Sequence, residues 1–465
     1  MRLLFLAALF AIPAAAQVKN PDTFVYAAIG DPDSLDPAWA YDSASNGIIS
    51  NIYEHLLTFS GGGVKVKDLK PMLATKVPSR ANGLISPDGL TYRFPIRKGV
   101  KFHSGAPLTP EDVRYSLLRF MLFYRDGGPS SLLLEPVLEV TGTRKDGKPL
   151  PGLGEAALKA VAVDGDAVVV KLTKPFAPFL TILATYGAIV EKKWCAEHGQ
   201  WNGELATWEK HNNPKSAETI PNTLANGTGA FRLGRFEKTT KQVVLERFDG
   251  YWRAPARLKT IVFKVVEEFA TRKLMLQAGD ADSIYAPQMY FPQLLNLPGV
   301  SVLDKQETLD VSPILFFSYK INAAGNPNVG SGKLDGDGIP PDFFSDKDVR
   351  KGFAYSVDSD AYVRDINRGK GRAASSFLPP SMLGYRGGKG KYRFDPKRAA
   401  EHLKKAWQGK AWEKGFKVSI VYNTGSAPAQ AICLMLKKNI EALNPKFHVD
   451  VRVLQWSTYL EQSQQ

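Results

Sequence analysis

The residues best placed to do chemistry sit together near the N-terminus, in GDPDSLDPAWAYDSASN (Gly30 to Asn46). The stretch carries acids at Asp31, Asp33, Asp36 and Asp42, hydroxyls at Ser34 and Ser43, and two large aromatic rings, Trp39 and Tyr41. Pro32 and Pro37 remove backbone donors, and aspartates and serines favour turns over regular ladders. Acids, hydroxyls and rings on one loop suit a connection, a catalytic loop or the wall of a binding site. Catalysis finds no support elsewhere in the chain. H-E-x-x-H, G-x-S-x-G, S-x-x-K, a Walker-type phosphate loop and G-x-G-x-x-G are all absent. GTGAF (Gly227 to Phe231) lacks a third glycine and reads as a tight turn ahead of a strand.

Metal chemistry is equally thin. The six histidines, at 55, 103, 198, 211, 402 and 448, stand singly, and no pair has ligand spacing. LDGDGIPPDF has the look of a calcium loop through Asp335, Asp337 and Gly338. Its first and twelfth positions would be Lys333 and Phe344, where acids are needed, so it reads as a glycine–aspartate turn. No catalytic residue, metal ligand or cofactor is therefore assigned.

Composition bounds the rest. The chain has 465 residues, 44% hydrophobic and 11% aromatic, ample for two to four domain-sized units. MRLLFLAALFAIPAAAQ combines Arg2, an apolar run Leu3 to Ile12 and small residues at Ala14 to Ala16, the pattern of a cleavable leader over residues 1–16. Its apolar run falls short of the roughly 20 residues a membrane span needs. With no cysteine at the cleavage site there is no lipid anchor to expect, and the mature protein is expected in a bacterial periplasm. The net charge of +14 is spread without an arginine-rich arm or zinc-finger spacing, so it reads as a solvated basic surface and not as a nucleic-acid footprint. Cys195 and Cys433 are far apart, and Cys433 falls on the apolar stripe of a helix, as a buried thiol would.

Strands and helices alternate throughout, which makes the class α/β. VDGDAVVVKL (Val163 to Leu172) and KQVVLERF (Lys241 to Phe248) read as strands. Thr109, Pro110 and Asp112 open a helix as a capping box, with Val113, Leu117, Phe120, Met121 and Tyr124 on one face. Asp395 and Pro396 open another, ahead of Ala399, Leu403, Ala406 and Trp407. APAQAICLMLKKNIEALNP is a helix leading into the alternating strand FHVDVRV. Thr141 to Gly154 and Gly325 to Asp346, dense in Gly, Pro and charge, are expected as surface excursions.

The order of motifs resembles family 5 of the extracellular solute-binding proteins of bacterial ABC importers, the dipeptide, oligopeptide and nickel class. The likeness starts at DPDSLDPA and NIYEHLLTF and is strongest from Pro71 to Arg119, with DGLTYRFPIRKGVKFHSGAPLTPEDV at its centre. NGTGAFRLGRF, LERFDGYW and FSDKDVRKGFAYSVD follow in family order. The resemblance implies a two-lobed periplasmic-binding-protein type II fold with an extra subdomain in the first lobe. Lobe I would span 17–264 with the subdomain at about 60–180, lobe II would span 265–465, and a hinge is expected near Val262 to Glu267. It implies a non-enzymatic, monomeric receptor that encloses a peptide or similar small solute and delivers it to an ABC permease in the inner membrane. Trp39, Tyr41 and Ser43 on the first lobe, and Phe317, Tyr319, Asn322, Tyr422 and Asn423 on the second, are the expected ligand contacts. An acidic motif that anchors a ligand ammonium in peptide-binding relatives would follow Gln465, so a C-terminally truncated form is expected. The alternatives are an exported peptide-processing enzyme, a periplasmic chaperone, or a binder of a nickel complex, sugar or opine.

Overall fold

The computed structural model describes residues 19–61, 65–304, 311–382, 384–388, 390 and 392–463. The expected leader at 1–16 lies outside them. Among the described residues no helix is long and apolar enough to cross a membrane.

The first lobe is built on a strand rich in β-branched and aromatic residues, β1 (Thr23–Ala28), after which the Gly30–Asp42 loop leads into α1 (Ser43–Ile52). A subdomain follows, with β2 (Thr91–Pro95), α2 (Pro110–Leu122), β3 (Val161–Asp164) and β4 (Ala167–Lys171). Its sheet order is β2-β4-β3. The chain then returns through β5 (Phe231–Glu237), β6 (Gln242–Arg247), β7 (Thr260–Val265), α3 (Phe269–Ala278) and β8 (Ser283–Ile284). These strands join β1 in one sheet of order β8-β1-β7-β6-β5. β1 runs parallel to β7, with Thr23 opposite Thr260 and Ala28 opposite Val265. A single apolar core extends from Leu35 to Ile261 and fuses the subdomain to this sheet.

Local chemistry explains α2. Thr109 Oγ1 accepts from the Asp112 backbone N–H (3.3 Å), and the Asp112 carboxylate accepts from the Thr109 N–H (2.9 Å), the reciprocal cap expected of T-P-E-D. Val113, Leu117, Phe120 and Met121 are all buried. GTGAF is a close-approach site. A Cβ on Gly227 would lie 2.1 Å from the Ile52 carbonyl and one on Gly229 2.3 Å from that of Asn51, so only glycine lets this turn meet the end of α1.

The second lobe packs α4 (Lys347–Tyr355), α5 (Pro396–Lys405), β9 (Phe416–Asn423), α6 (Ala427–Glu441) and β10 (Phe447–Leu454) around a separate core. β9 and β10 run parallel, with Phe416 opposite Phe447 and their rings stacked at 4.3 Å. A last helix, α7 (Trp456–Ser463), follows β10.

Five expectations are corrected. VDGDAVVVKL is not one strand but the hairpin β3–β4, because Gly165 takes φ +59 and turns the chain with Asp166. Val262 to Val265 is no hinge, since it lies inside β7, paired with β1 on one side and partly with β6 on the other. β8 also pairs with β1, so a lobe boundary at 264/265 cuts through the first sheet, and the chain leaves that sheet only after Ile284. Gly325 to Asp346 is a surface excursion only in part: Val329, Ile339, Phe343 and Phe344 are buried in the second core. Finally, α5 stops at Lys405, and Trp407 turns out of its stripe with φ +53 to donate from Nε1 to the Phe343 carbonyl (3.2 Å).

Candidate ligand-binding cleft

Both lobes contribute to a cavity of about 810 Å³. The first lobe supplies Tyr26, the Ile29–Asp33 segment, Ser43, Phe236, Lys241 and Phe263; Ser312, Asn423, Ser426 and Trp456 complete the wall. The lobes meet closely beside it. Gly425 has φ +81, and a Cβ there would come within 3.0 Å of the Glu267 carbonyl. Lys241 Nζ pairs with Glu267 (2.7 Å) and donates to Gln455 Oε1 (3.3 Å).

The Gly30–Asp42 loop owes its shape to buried polar contacts. Arg119, on α2, donates two hydrogen bonds to the Asp36 carboxylate (2.7 and 2.6 Å) and one to Gln200 (2.8 Å). Asp36 also accepts from the backbone N–H of Ala38 and of Ile220, both at 3.0 Å. Burial by itself would raise the Asp36 carboxyl, but the Arg119 guanidinium and these N–H donors outweigh it and hold it below the usual range. Both partners are nearly inaccessible, which makes this pair a rivet between loop and helix. Ser34 Oγ accepts from Asp36 N–H, and Asn222 Oδ1 accepts from Leu35 N–H. Asp42 closes the loop by capping α1 through Ser45 N–H (2.9 Å).

A second carboxylate, Glu54, follows α1 and collects three donors: Thr228 Oγ1 (2.8 Å), Tyr251 Oη (2.7 Å) and Trp252 Nε1 (2.8 Å). Burial still pushes its carboxyl up. The cysteines are both buried free thiols. Among the described residues no three His, Cys, Asp or Glu side chains gather as a metal site.

The expected contact residues are distributed as follows. Ser43 and Asn423 line the main cavity. Tyr41 and Ser43 line a smaller adjoining recess of about 220 Å³. Trp39 lines neither: its Nε1 donates to Asp33 (3.0 Å) and its ring lies beneath the Arg125 guanidinium (4.4 Å), so it braces the loop. Phe317 packs in the second core on Phe344 (5.1 Å) and Phe353 (6.1 Å). Tyr319 is exposed beneath Arg350 (4.4 Å), and Asn322 accepts from Ala324 N–H in a turn (3.2 Å). Tyr422 packs toward Tyr362, Ile432 and Cys433. Sequence reasoning passed over Tyr26, Phe236, Phe263, Lys241 and Trp456. Tyr26 and Phe263 are register partners on neighbouring parallel strands and meet edge to face at 6.4 Å. The aromatic residues within both strand patterns were the available signal.

Comparison with known proteins fits this geometry. The family model for "Bacterial extracellular solute-binding proteins, family 5 Middle" matches residues 68–465. A dipeptide-binding protein of Escherichia coli K12 is 27% identical over 98% of this chain and 76% of its own. Among solved structures, the ABC transporter-associated periplasmic binding protein DppA from Helicobacter pylori, in complex with the peptide STSA, aligns with a TM-score of 0.67. It shares 23% identity over 95% of this chain and 75% of that one. NikA from Staphylococcus aureus, in complex with Ni(L-His)2, aligns with a TM-score of 0.62 at 14% identity, over 94% and 74%. At those identities the structural likenesses speak for the two-lobed periplasmic-binding fold alone, whereas the family match extends over most of the sequence. The chain belongs to the family 5 bacterial extracellular solute-binding proteins.

Proposed function

We propose that this protein is the solute-capturing receptor of a bacterial import system, and that its solute is a short peptide. The observation that carries this reading is the 810 Å³ cavity walled by both lobes, a size typical of small-ligand sites. Its wall pairs aromatic faces (Tyr26, Phe236, Phe263, Trp456) with hydroxyl, amide and charged groups (Ser43, Asn423, Lys241), a mixture suited to peptide backbone and side chains together. Binding energy spent across two lobes biases an open–closed equilibrium, and no covalent step is needed. The family's dipeptide-binding relative supports the peptide class. In this reading the protein is exported by its leader, acts as a monomer in the periplasm without catalysis, and offers its closed form to an ABC permease in the inner membrane. Ser43 and Asn423 contact the ligand directly. Trp39 acts on it through Asp33.

The test is a thermal-shift screen of di- to tetrapeptides against sugars, opines and nickel–histidine complexes, with mass spectrometry of every sample. A peptide at a hundred times its Kd stabilises the folded state by about 2.7 kcal/mol and is recovered intact. Stabilisation by another class alone would replace the peptide, cleavage would point to an enzyme, and no stabilisation by any class would end the receptor reading.

A further inference from the structure

The recess of about 220 Å³ beside the main cavity shares Asp33, Ser43 and Trp456 with it as walls, and adds Tyr41, Asp42 and Arg125. Two residues of its wall each carry an unmatched polar atom. Asp42 is only 7% exposed. One of its carboxylate oxygens caps α1, while the other, Oδ2, is fully buried with no hydrogen-bond partner among the described residues. Trp456 Nε1 is buried in the same way without an acceptor. Native structures rarely leave such groups unpaired, because desolvation is not repaid.

The charges in the recess point the same way. Two carboxylates, Asp33 and Asp42, face one guanidinium. Arg125 is committed elsewhere in part, lying over the Trp39 ring (4.4 Å) and donating to the Trp39 carbonyl (3.2 Å from Nε and from Nη2), with Asp33 at 4.0 Å. Burial pushes the Asp33 carboxyl up, and the neighbouring Asp42 adds to that push, as expected where negative charge is under-compensated. With two carboxylates against one guanidinium, what the recess lacks is a second positive group with N–H donors. Two carboxylates make a poor cage for a bare metal ion. The volume is also far above the roughly 15 Å³ that a single water needs, so an organic cation fits better.

We propose that this recess is a cation subsite, which takes the ammonium or guanidinium end of a ligand's basic side chain against Asp42 Oδ2 and Asp33, while Trp456 Nε1 donates to a ligand carbonyl in the main cavity. The inference rests on the receptor reading and narrows it to peptides with a lysine- or arginine-like residue. Trp456 stands on the wall common to both cavities, so a ligand that fills both lies against Trp456 and Asp42 together.

The test uses alanine tripeptides that carry lysine or its uncharged counterpart norleucine at each position in turn, and n-butylammonium as a bare probe. Affinities are read by calorimetry on the wild type and on Asp42→Asn and Asp33→Asn. Asparagine retains a cap oxygen at 42 and an acceptor for Trp39 at 33, and circular dichroism confirms folding. At one position lysine binds at least tenfold tighter than norleucine, and in each variant that ratio falls to within about threefold. Equal binding of lysine and norleucine peptides by the wild type overturns the subsite and leaves the receptor reading intact. If no peptide binds but n-butylammonium raises the melting temperature of the wild type and not of Asp42→Asn, the subsite holds and the peptide reading falls. If neither peptides nor n-butylammonium bind, the subsite is overturned together with the peptide class. The wild-type comparison decides the matter even if a variant fails to fold.

Discussion

In the first lobe the loops beside the cleft are tied down by carboxylates: Asp36 by Arg119 and two backbone donors, and Glu54 by a threonine, a tyrosine and a tryptophan. In the second lobe the interior is a run of phenyl rings, Phe317, Phe343, Phe344, Phe353, Phe416 and Phe447, in successive edge and face contacts. Among its described residues every ion pair keeps at least a fifth of each side chain exposed, whereas Asp36 and Arg119 are 0% and 1% exposed. Ring stacks tolerate small shifts, but a buried bidentate pair does not. The difference places positional precision on the lobe that carries the Gly30–Asp42 loop, and leaves adaptability to the second lobe.

Arg119→Met tests this contrast most severely. It keeps much of the volume but strands a buried Asp36, and should cost about 3–5 kcal/mol in the first-lobe unfolding transition. Adding Asp36→Asn removes the orphaned charge and recovers part of the loss. Phe353→Met in the ring stack loses ring contacts but strands no charge, and should cost less, about 1–3 kcal/mol. Urea denaturation with a reporter on each lobe measures all three. If Arg119→Met cost no more than Phe353→Met, the two lobes would not differ as argued.

What the sequence disclosed follows the same division. Thr109, Pro110 and Asp112 lie within four residues of one another, so their cap was legible, as was the period-two strand Phe447–Leu454. Asp36 and Arg119 are 83 residues apart, and nothing local marks either as half of a pair. The same blindness explains the aromatics. Trp39 looks like a binding residue until Arg125, just past the end of α2, is seen to cover it, and Phe317 until Phe344 and Phe353 arrive from distant segments. Val262 to Glu267 reads as a hinge because the Tyr251-Trp252 segment gives way there to a new α/β run. Its partners in β1 and β6 come from elsewhere in the chain.

Acid should reveal the first lobe's polar ties at intermediate cost. Burial pushes His103 down to about 4, and its hydrogen bonds require a neutral ring. Nε2–H donates to the Gly229 carbonyl (3.0 Å) while Nδ1 accepts from Gly227 N–H (3.3 Å). Protonation would set donor against donor at Gly227. The folded-state value lies below the unfolded value of about 6.5, so this stability is full above pH 6.5 and is lost as pH falls toward 4, on the order of 3 kcal/mol in all. In the second lobe His402 Nδ1 lies 2.6 Å from an acceptor, Asp348 Oδ1. Denaturation at pH 7 and pH 4.5 should therefore weaken the first-lobe transition more. A His103 resonance that titrates near 6.5 would remove the premise.

The smallest effect should erase the contrast altogether. Thr109 caps α2 in the first lobe, and Asp395 caps α5 in the second by accepting from Arg398 N–H (3.0 Å). Each satisfies one orphan donor at a helix start, a strictly local task that does not depend on what the lobe's core is made of. Thr109→Ala and Asp395→Ala should each cost about 1 kcal/mol in their own lobe's transition. Thr109 carries one complication, because its hydroxyl also donates to Asp112 (2.6 Å), whose other oxygen accepts from Lys192 N–H (3.0 Å). If that link matters, Thr109→Ala exceeds Asp395→Ala by more than the uncertainty of the two measurements, and Thr109→Ser, which keeps the hydroxyl, restores it. If the two alanine variants cost the same, the lobes differ only in how their interiors are joined. A large excess that Thr109→Ser fails to recover would instead assign the loss to packing of the missing methyl.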